Sequence, residues 1–131
     1  MIEYRTLNPA TGQLVRRYEA AGEKAVERAL RGSWQAFQDY KTWSFEQRAE
    51  KLTAAAELLE DRASRLGTLM AEEMGKPLAE GRAEAEKCAW ACRYFAQHGP
   101  SYLTPEERPS DAGRSLVRYD PLGPVLAIMP W

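Results

Sequence analysis

The sequence has one histidine, two cysteines and no long apolar run, and each scarcity removes a class of function. His98 lies beside Gly99-Pro100 and reads as a residue near the negative pole of a helix end. No serine or cysteine can be joined to it as a triad on spacing, because a triad is recognised by three-dimensional geometry. Cys88 and Cys92 are four apart inside an Ala-rich helical pattern. That register is neither a CxxC redox pair nor a four-ligand zinc set, so free, partly buried thiols are expected. Nowhere do 18 apolar residues run together, and Met1-Ile2-Glu3-Tyr4-Arg5 is not a basic region followed by an apolar one. Neither a membrane span nor a secretory leader is expected, and the expected location is cytoplasmic. Charge is equally uninformative about large anionic partners: 18 Lys and Arg oppose 19 Asp and Glu, and no basic run exceeds Arg16-Arg17. Nucleic acid and anionic membrane are therefore not expected partners.

The usual signatures of nucleotide and sugar chemistry are also missing. Gly75-Lys76-Pro77 lacks the GxxxxGK[ST] framework of a phosphate loop, with proline where a hydroxyl residue would hold magnesium. Asp120-Pro121-Leu122-Gly123-Pro124 is not GxGxxG. Glu72-Glu73 and Glu106-Glu107 are adjacent in sequence, so their carboxylates diverge rather than face each other as in a glycosidase.

What is present is a helical first part and an extended last part. At 131 residues, 44% hydrophobic and 28% charged, the chain has the balance of about one folded domain. Six of its eight prolines (Pro100, Pro105, Pro109, Pro121, Pro124, Pro130) fall after residue 99. Asn8-Pro9-Ala10-Thr11-Gly12 is a turn signature, predicting a small ribbon of residues 2–7 and 13–18. Val26, Leu30, Ser33/Trp34, Phe37 and Tyr40 recur at helical spacing from Glu23 to about Lys41, with Gly32 read as a close-packing position. Ser44 and Gln47 form a capping box for a second helix whose stripe is Leu52, Ala55, Leu59, Ala63, Leu66 and Met70. That pattern is long enough to predict a break near Glu60–Ser64 and an end at Gly75, with Glu72 and Lys76 as an i,i+4 pair. Pro77 then opens a third helix that buries Ala85, Cys88/Ala89, Cys92 and Phe95 and stops at Gly99-Pro100.

Residues 101–120 read as a linker with a short strand near Ser115 to Tyr119. Val125-Leu126-Ala127-Ile128-Met129 has no polar alternate, the pattern of a strand buried on both faces of a helix-covered parallel sheet. Such a strand needs neighbours that the sequence does not contain, so the chain reads as the N-terminal portion of something larger. Ligands in open α/β sheets gather beyond the carboxyl ends of strands, which places a candidate site at Pro130-Trp131.

In these blocks the chain resembles the N-terminal region of the NAD(P)-dependent aldehyde dehydrogenase superfamily. The resemblance runs through Asn8 to Gly12, Ala36-Phe37 with Trp43, Arg48 with Leu52, Glu73-Met74-Gly75-Lys76-Pro77-Leu78, Pro121 to Val125 and Ile128 to Trp131. Its flavour is that of the succinate-semialdehyde dehydrogenase branch. The resemblance implies an α/β fold: the N-terminal helices, the start of an oligomerisation arm within 101–120, and residues 125–131 as the first strand of a Rossmann-like cofactor domain, incomplete here. It further implies that Ile128, Met129, Pro130 and Trp131 line the cleft of NAD or NADP. For the complete enzyme it implies a homo-oligomer acting on a small aldehyde. A cysteine thiolate attacks the aldehyde to give a thiohemiacetal, hydride transfer leaves a thioester, and water activated by a glutamate releases the carboxylate. Neither Cys88 nor Cys92 matches that nucleophile. No catalytic residue is assigned within 1–131, and these residues alone are expected to be inactive. The alternative is a mainly helical interaction module that binds another subunit through the faces of residues 45–74 and 78–98.

Overall fold

A computed structural model describes residues 4–129. The chain begins with an antiparallel ribbon of β1 (Tyr4–Leu7) and β2 (Leu14–Tyr18), irregular between Thr6 and Leu7. The turn forms for the reason its residues suggest: Asn8 Oδ1 accepts hydrogen bonds from the amides of Ala10 (2.9 Å) and Thr11 (3.3 Å). Gly12 closes it at φ 70°, where a side chain would be strained.

Four helices follow: α1 (Glu23–Tyr40), α2 (Phe45–Asp61), α3 (Ala63–Met74) and α4 (Leu78–Leu103). The capping box of α2 is complete, with Ser44 Oγ accepting from the Gln47 amide (3.3 Å) and Gln47 Oε1 accepting from the Ser44 amide (2.9 Å). The expected break falls at Arg62, and α3 ends at Gly75 with φ 73°. That left-handed turn takes Lys76 off the helical register. Lys76 consequently pairs with Glu84 on α4 instead of Glu72.

The core is a three-helix contact in which α4 lies against α2 and α3. Every buried residue at this contact is small: Ala56, Ala63 and Gly67 meet Gly81, Ala85 and Ala89. The two glycines mark the closest approach, since a Cβ built on Gly81 would stand 2.9 Å from Gly67 Cα. Gly32, expected to serve that purpose, faces open space. Cys88 is exposed and Phe95 is more than half exposed, so both leave the predicted buried strip, whereas Cys92 is half-buried. The tight crossing admits only the Gly81, Ala85 and Ala89 line, and one residue's rotation carries Cys88 to its edge. Part of the α2/α3 and α4 faces assigned to an outside partner in the interaction-module reading is spent on this mutual contact, while Leu58, Leu69, Trp90 and Phe95 stay exposed.

A bidentate ion pair clamps the crossing, with Arg93 Nε and Nη2 donating to Glu60 Oε1 and Oε2 at 3.2 and 2.5 Å. Arg93 holds the Glu60 carboxyl below its ordinary 4.5. A carboxylate depressed in the folded state stabilises that state above its unfolded pKa and loses the contribution as pH falls through the folded value. An Arg93→Gln variant should therefore move the Glu60 titration, followed by NMR, back up toward 4.5. An unchanged Glu60 midpoint would show that the pair is not formed in solution.

Helix α4, expected to stop at Gly99-Pro100, continues through Pro100 to Leu103. Proline cannot donate to the carbonyl of Ala96, but near a helix end that single loss is tolerated. The final turn is secured by Thr104, whose amide (3.0 Å) and hydroxyl (2.7 Å) both donate to the Pro100 carbonyl. A short ribbon of β3 (Glu106–Glu107) and β4 (Leu116–Val117) comes next, antiparallel. It is tied by Arg114 to Glu107 (2.8 Å) and by the Tyr119 hydroxyl donating to Glu106 (3.0 Å). The strand expected over Val125–Met129 is absent: a strand is defined by a hydrogen-bonded neighbour, and residues 4–129 offer none to this run.

Candidate functional site

The segment expected to reach the cofactor is the last described stretch of chain. Ile128 and Met129 are 85% and 74% exposed, and Pro130 and Trp131 lie outside the described residues. Leu122, Val125 and Leu126 are exposed to a similar degree, at 97%, 80% and 86%. An apolar run so open to water has no strand partner in residues 4–129. Its side chains can wall one side of a ring or sugar, but they offer no donor to a phosphate.

Just upstream, the same segment crosses α1. Gly123, at φ 124°, would place a Cβ 3.6 Å from Trp34 Cζ3. Two shallow grooves flank this crossing. One, about 460 Å³, is floored by Phe37, Tyr40 and Trp43 and closed by Gly123 and Pro124. The other, about 530 Å³, runs along Val26, Ala29 and Leu30 to Val125 and Leu126.

Helix α1 forms where its period predicts, but its apolar stripe is not buried: Val26, Leu30, Trp34 and Tyr40 are all exposed. The aromatic faces near the first groove carry the chain's own cations, with Lys51 5.7 Å from the Trp43 ring centre and Arg48 5.7 Å from that of Tyr40. Arg48 also donates to the Trp43 carbonyl through Nε (3.2 Å) and Nη2 (2.9 Å). These contacts tie the turn between α1 and α2 and occupy the ring faces with the chain's own cations. Periodicity could reveal the α1 stripe, but nothing local indicated that residues 123–126 would lie against it.

His98 sits within α4, half-buried, its ring 4.5 Å from that of Tyr94. Among the described residues it makes no hydrogen bond to either cysteine, and no three His, Cys, Asp or Glu side chains gather as a metal site. None of the described helices is long and apolar enough to cross a membrane.

The surface as a whole is large for the mass. The chain exposes 11022 Å². A compact monomer of 14.8 kDa exposes about 7,000 Å². Exposed apolar side chains occur along the whole chain and are most open to water in residues 122–129.

Comparison with known proteins identifies what shares this arrangement. The sequence pattern of the aldehyde dehydrogenase family matches residues 2–131. The chain is 43% identical over 132 residues to the NADP(+) succinate-semialdehyde dehydrogenase of Mycobacterium avium (strain 104), covering 96% of this chain and 28% of that protein. It is 40% identical over 126 residues to a probable NADP(+) succinate-semialdehyde dehydrogenase of Synechocystis sp. (strain PCC 6803), with the same coverage. It thus spans little more than a quarter of the length of these curated relatives. Among solved structures, Gox0499, studied for its cofactor and substrate selection, superposes with a TM-score of 0.88 at 28% identity over 93% of this chain and 27% of its own. The succinic semialdehyde dehydrogenase of Streptococcus pyogenes in complex with NADP+ superposes at 0.81 and 20% identity, a likeness of fold, over 86% of this chain and 25% of its own.

Proposed function

Because the chain belongs to the aldehyde dehydrogenase family, we propose that it is the N-terminal part of an NADP-dependent succinate-semialdehyde dehydrogenase. The observation that carries this reading is the 43% identity to a protein of that name across 96% of the chain. In the complete enzyme α2, α3 and α4 form a rigid helical layer, and the β3–β4 ribbon begins the arm through which copies assemble. Residues 125–131 become a strand once neighbours pair with it, bringing Ile128, Met129, Pro130 and Trp131 to the cofactor cleft. Their role there is to position and to exclude water: apolar side chains against a nicotinamide raise the strength of every polar interaction made inside the cleft. The cofactor, when bound, would supply a hydride acceptor, and in this reading the nucleophilic cysteine and the glutamate base come from sequence after Trp131. The enzyme works in the cytoplasm on a small aldehyde.

The 131 residues alone have no turnover in this reading. Ile128 and Met129 are 85% and 74% exposed, and the nucleophile that this reading requires lies in sequence after Trp131. Purified chain mixed with succinate semialdehyde and NADP+ should show no reduced cofactor above the enzyme-free rate. Turnover that copurifies with the chain would overturn the assignment of catalysis to downstream residues, and its loss in Cys88→Ser or Cys92→Ser would place the nucleophile in α4 instead.

A further inference from the structure

We propose that Cys88 and Cys92 form a two-thiol clip for monosubstituted trivalent arsenicals, a soft ligand class unrelated to aldehyde oxidation. Both thiols are free, Cys88 exposed and Cys92 half-buried, and both lie in the continuous helix α4. Residues four apart in a helix carry their Cβ atoms about 5–6 Å apart on one strip. A disulfide needs Cβ atoms about 3.5–4.5 Å apart, so direct oxidation of this pair is disfavoured. One atom inserted between the sulfurs suits that wider spacing, with each side chain adjusting by rotation about χ1.

The surroundings favour the same ligand. Beside Cys88 runs a groove of about 560 Å³ floored by Ala83 and Ala91. Its far wall is the Lys76–Glu84 ion pair. An aryl group carried by the bridging atom can lie on the alanines there. The adjoining strip of α4 is pinned through Gly81, Ala85 and Ala89, with Cys92 half-buried beside it and Cys88 exposed at its edge, so the two thiols are carried by a helix already packed before the ligand arrives. No third Cys, His, Asp or Glu completes a metal set among the described residues. That favours a centre needing two sulfurs and bringing its own third substituent over zinc, which needs four ligands.

Phenylarsonous acid is the natural probe. Two As–S bonds form and two As–O bonds break. Each thiol proton leaves with a hydroxide as water, and neither arsenic nor sulfur changes oxidation state. Titrating the reduced chain should give one adduct per chain, at the mass of chain plus acid less two waters, eluting as a monomer and with a raised Tm. Cys88→Ser and Cys92→Ser, each shown folded by circular dichroism, should each bind about 100-fold more weakly, the loss expected when a second attachment stops being intramolecular. Either variant binding within about threefold of the parent, far inside that margin, or arsenic bridging two chains, would overturn the clip.

Discussion

Gly81→Leu should abolish the cooperative unfolding transition of the chain, and Gly81→Ala should lower its stability by about 1–3 kcal/mol. The Cβ of even alanine would sit 2.9 Å from Gly67 Cα and 3.2 Å from the Gly67 carbonyl oxygen. Both obstacles are backbone, so no rotamer change relieves them and α3 and α4 must separate. Separation is costly here because the buried contact consists of alanines and glycines whose energy comes from close approach, with no large side chain to bridge a wider gap. Alanine is worth up to about 1 kcal/mol more than glycine in a helix interior, so the substitution loses in spite of a local gain. Gly32→Ala isolates that gain, because nothing lies within 4 Å of the added atom. Urea unfolding of the two variants should therefore shift the midpoint in opposite directions. A Gly81→Ala midpoint at or above the parent's would show that the α3–α4 crossing is looser than its geometry.

The contrast between those glycines shows which parts of the fold were legible in the sequence. Caps, turns and helix periods depend on residues within about four positions of each other, so Asn8, Ser44 with Gln47, and Gly75 announce themselves. Which glycine serves as a packing site depends on another segment, and Gly32 and Gly81 look alike until α3 is laid across one of them. The small-residue line Gly81, Ala85, Ala89, repeating every four residues, is the signal for a tight crossing; Ala85 and Ala89 lie on the expected buried side, while Gly81 lies one turn before it and the more apolar Cys88 and Phe95 pull the predicted strip off this line. The candidate site was legible only as a pattern. Five apolar residues without a polar alternate describe a buried strand, yet the residues that would bury it are not among 4–129, so Val125–Met129 faces water.

That same run carries the second large effect. Replacing the matching 28% of the Mycobacterium avium relative with this chain should yield a soluble chimaera that oxidises succinate semialdehyde with NADP+. Val125→Asp with Ile128→Asp in that chimaera should remove activity by a factor of about 100 or more, because burying an unpaired carboxylate costs several kcal/mol and each 1.4 kcal/mol is a factor of ten. In the 131-residue chain the same pair should leave the unfolding midpoint nearly unchanged, within the roughly 0.5 kcal/mol typical of surface substitutions. The difference follows from environment. Burying a Leu, Val or Ile side chain is worth about 1.5–3 kcal/mol, so covering Leu122, Val125, Leu126 and Ile128 supplies roughly 6–12 kcal/mol that the chain alone does not have. Stability measured in both settings, with activity in the chimaera, separates the possibilities. Equal tolerance of the two aspartates in both proteins would mean that residues 125–129 stay on the surface of the whole enzyme, and the strand assignment would fail. Loss in the chimaera with indifference in the chain places this run in a sheet completed by downstream sequence.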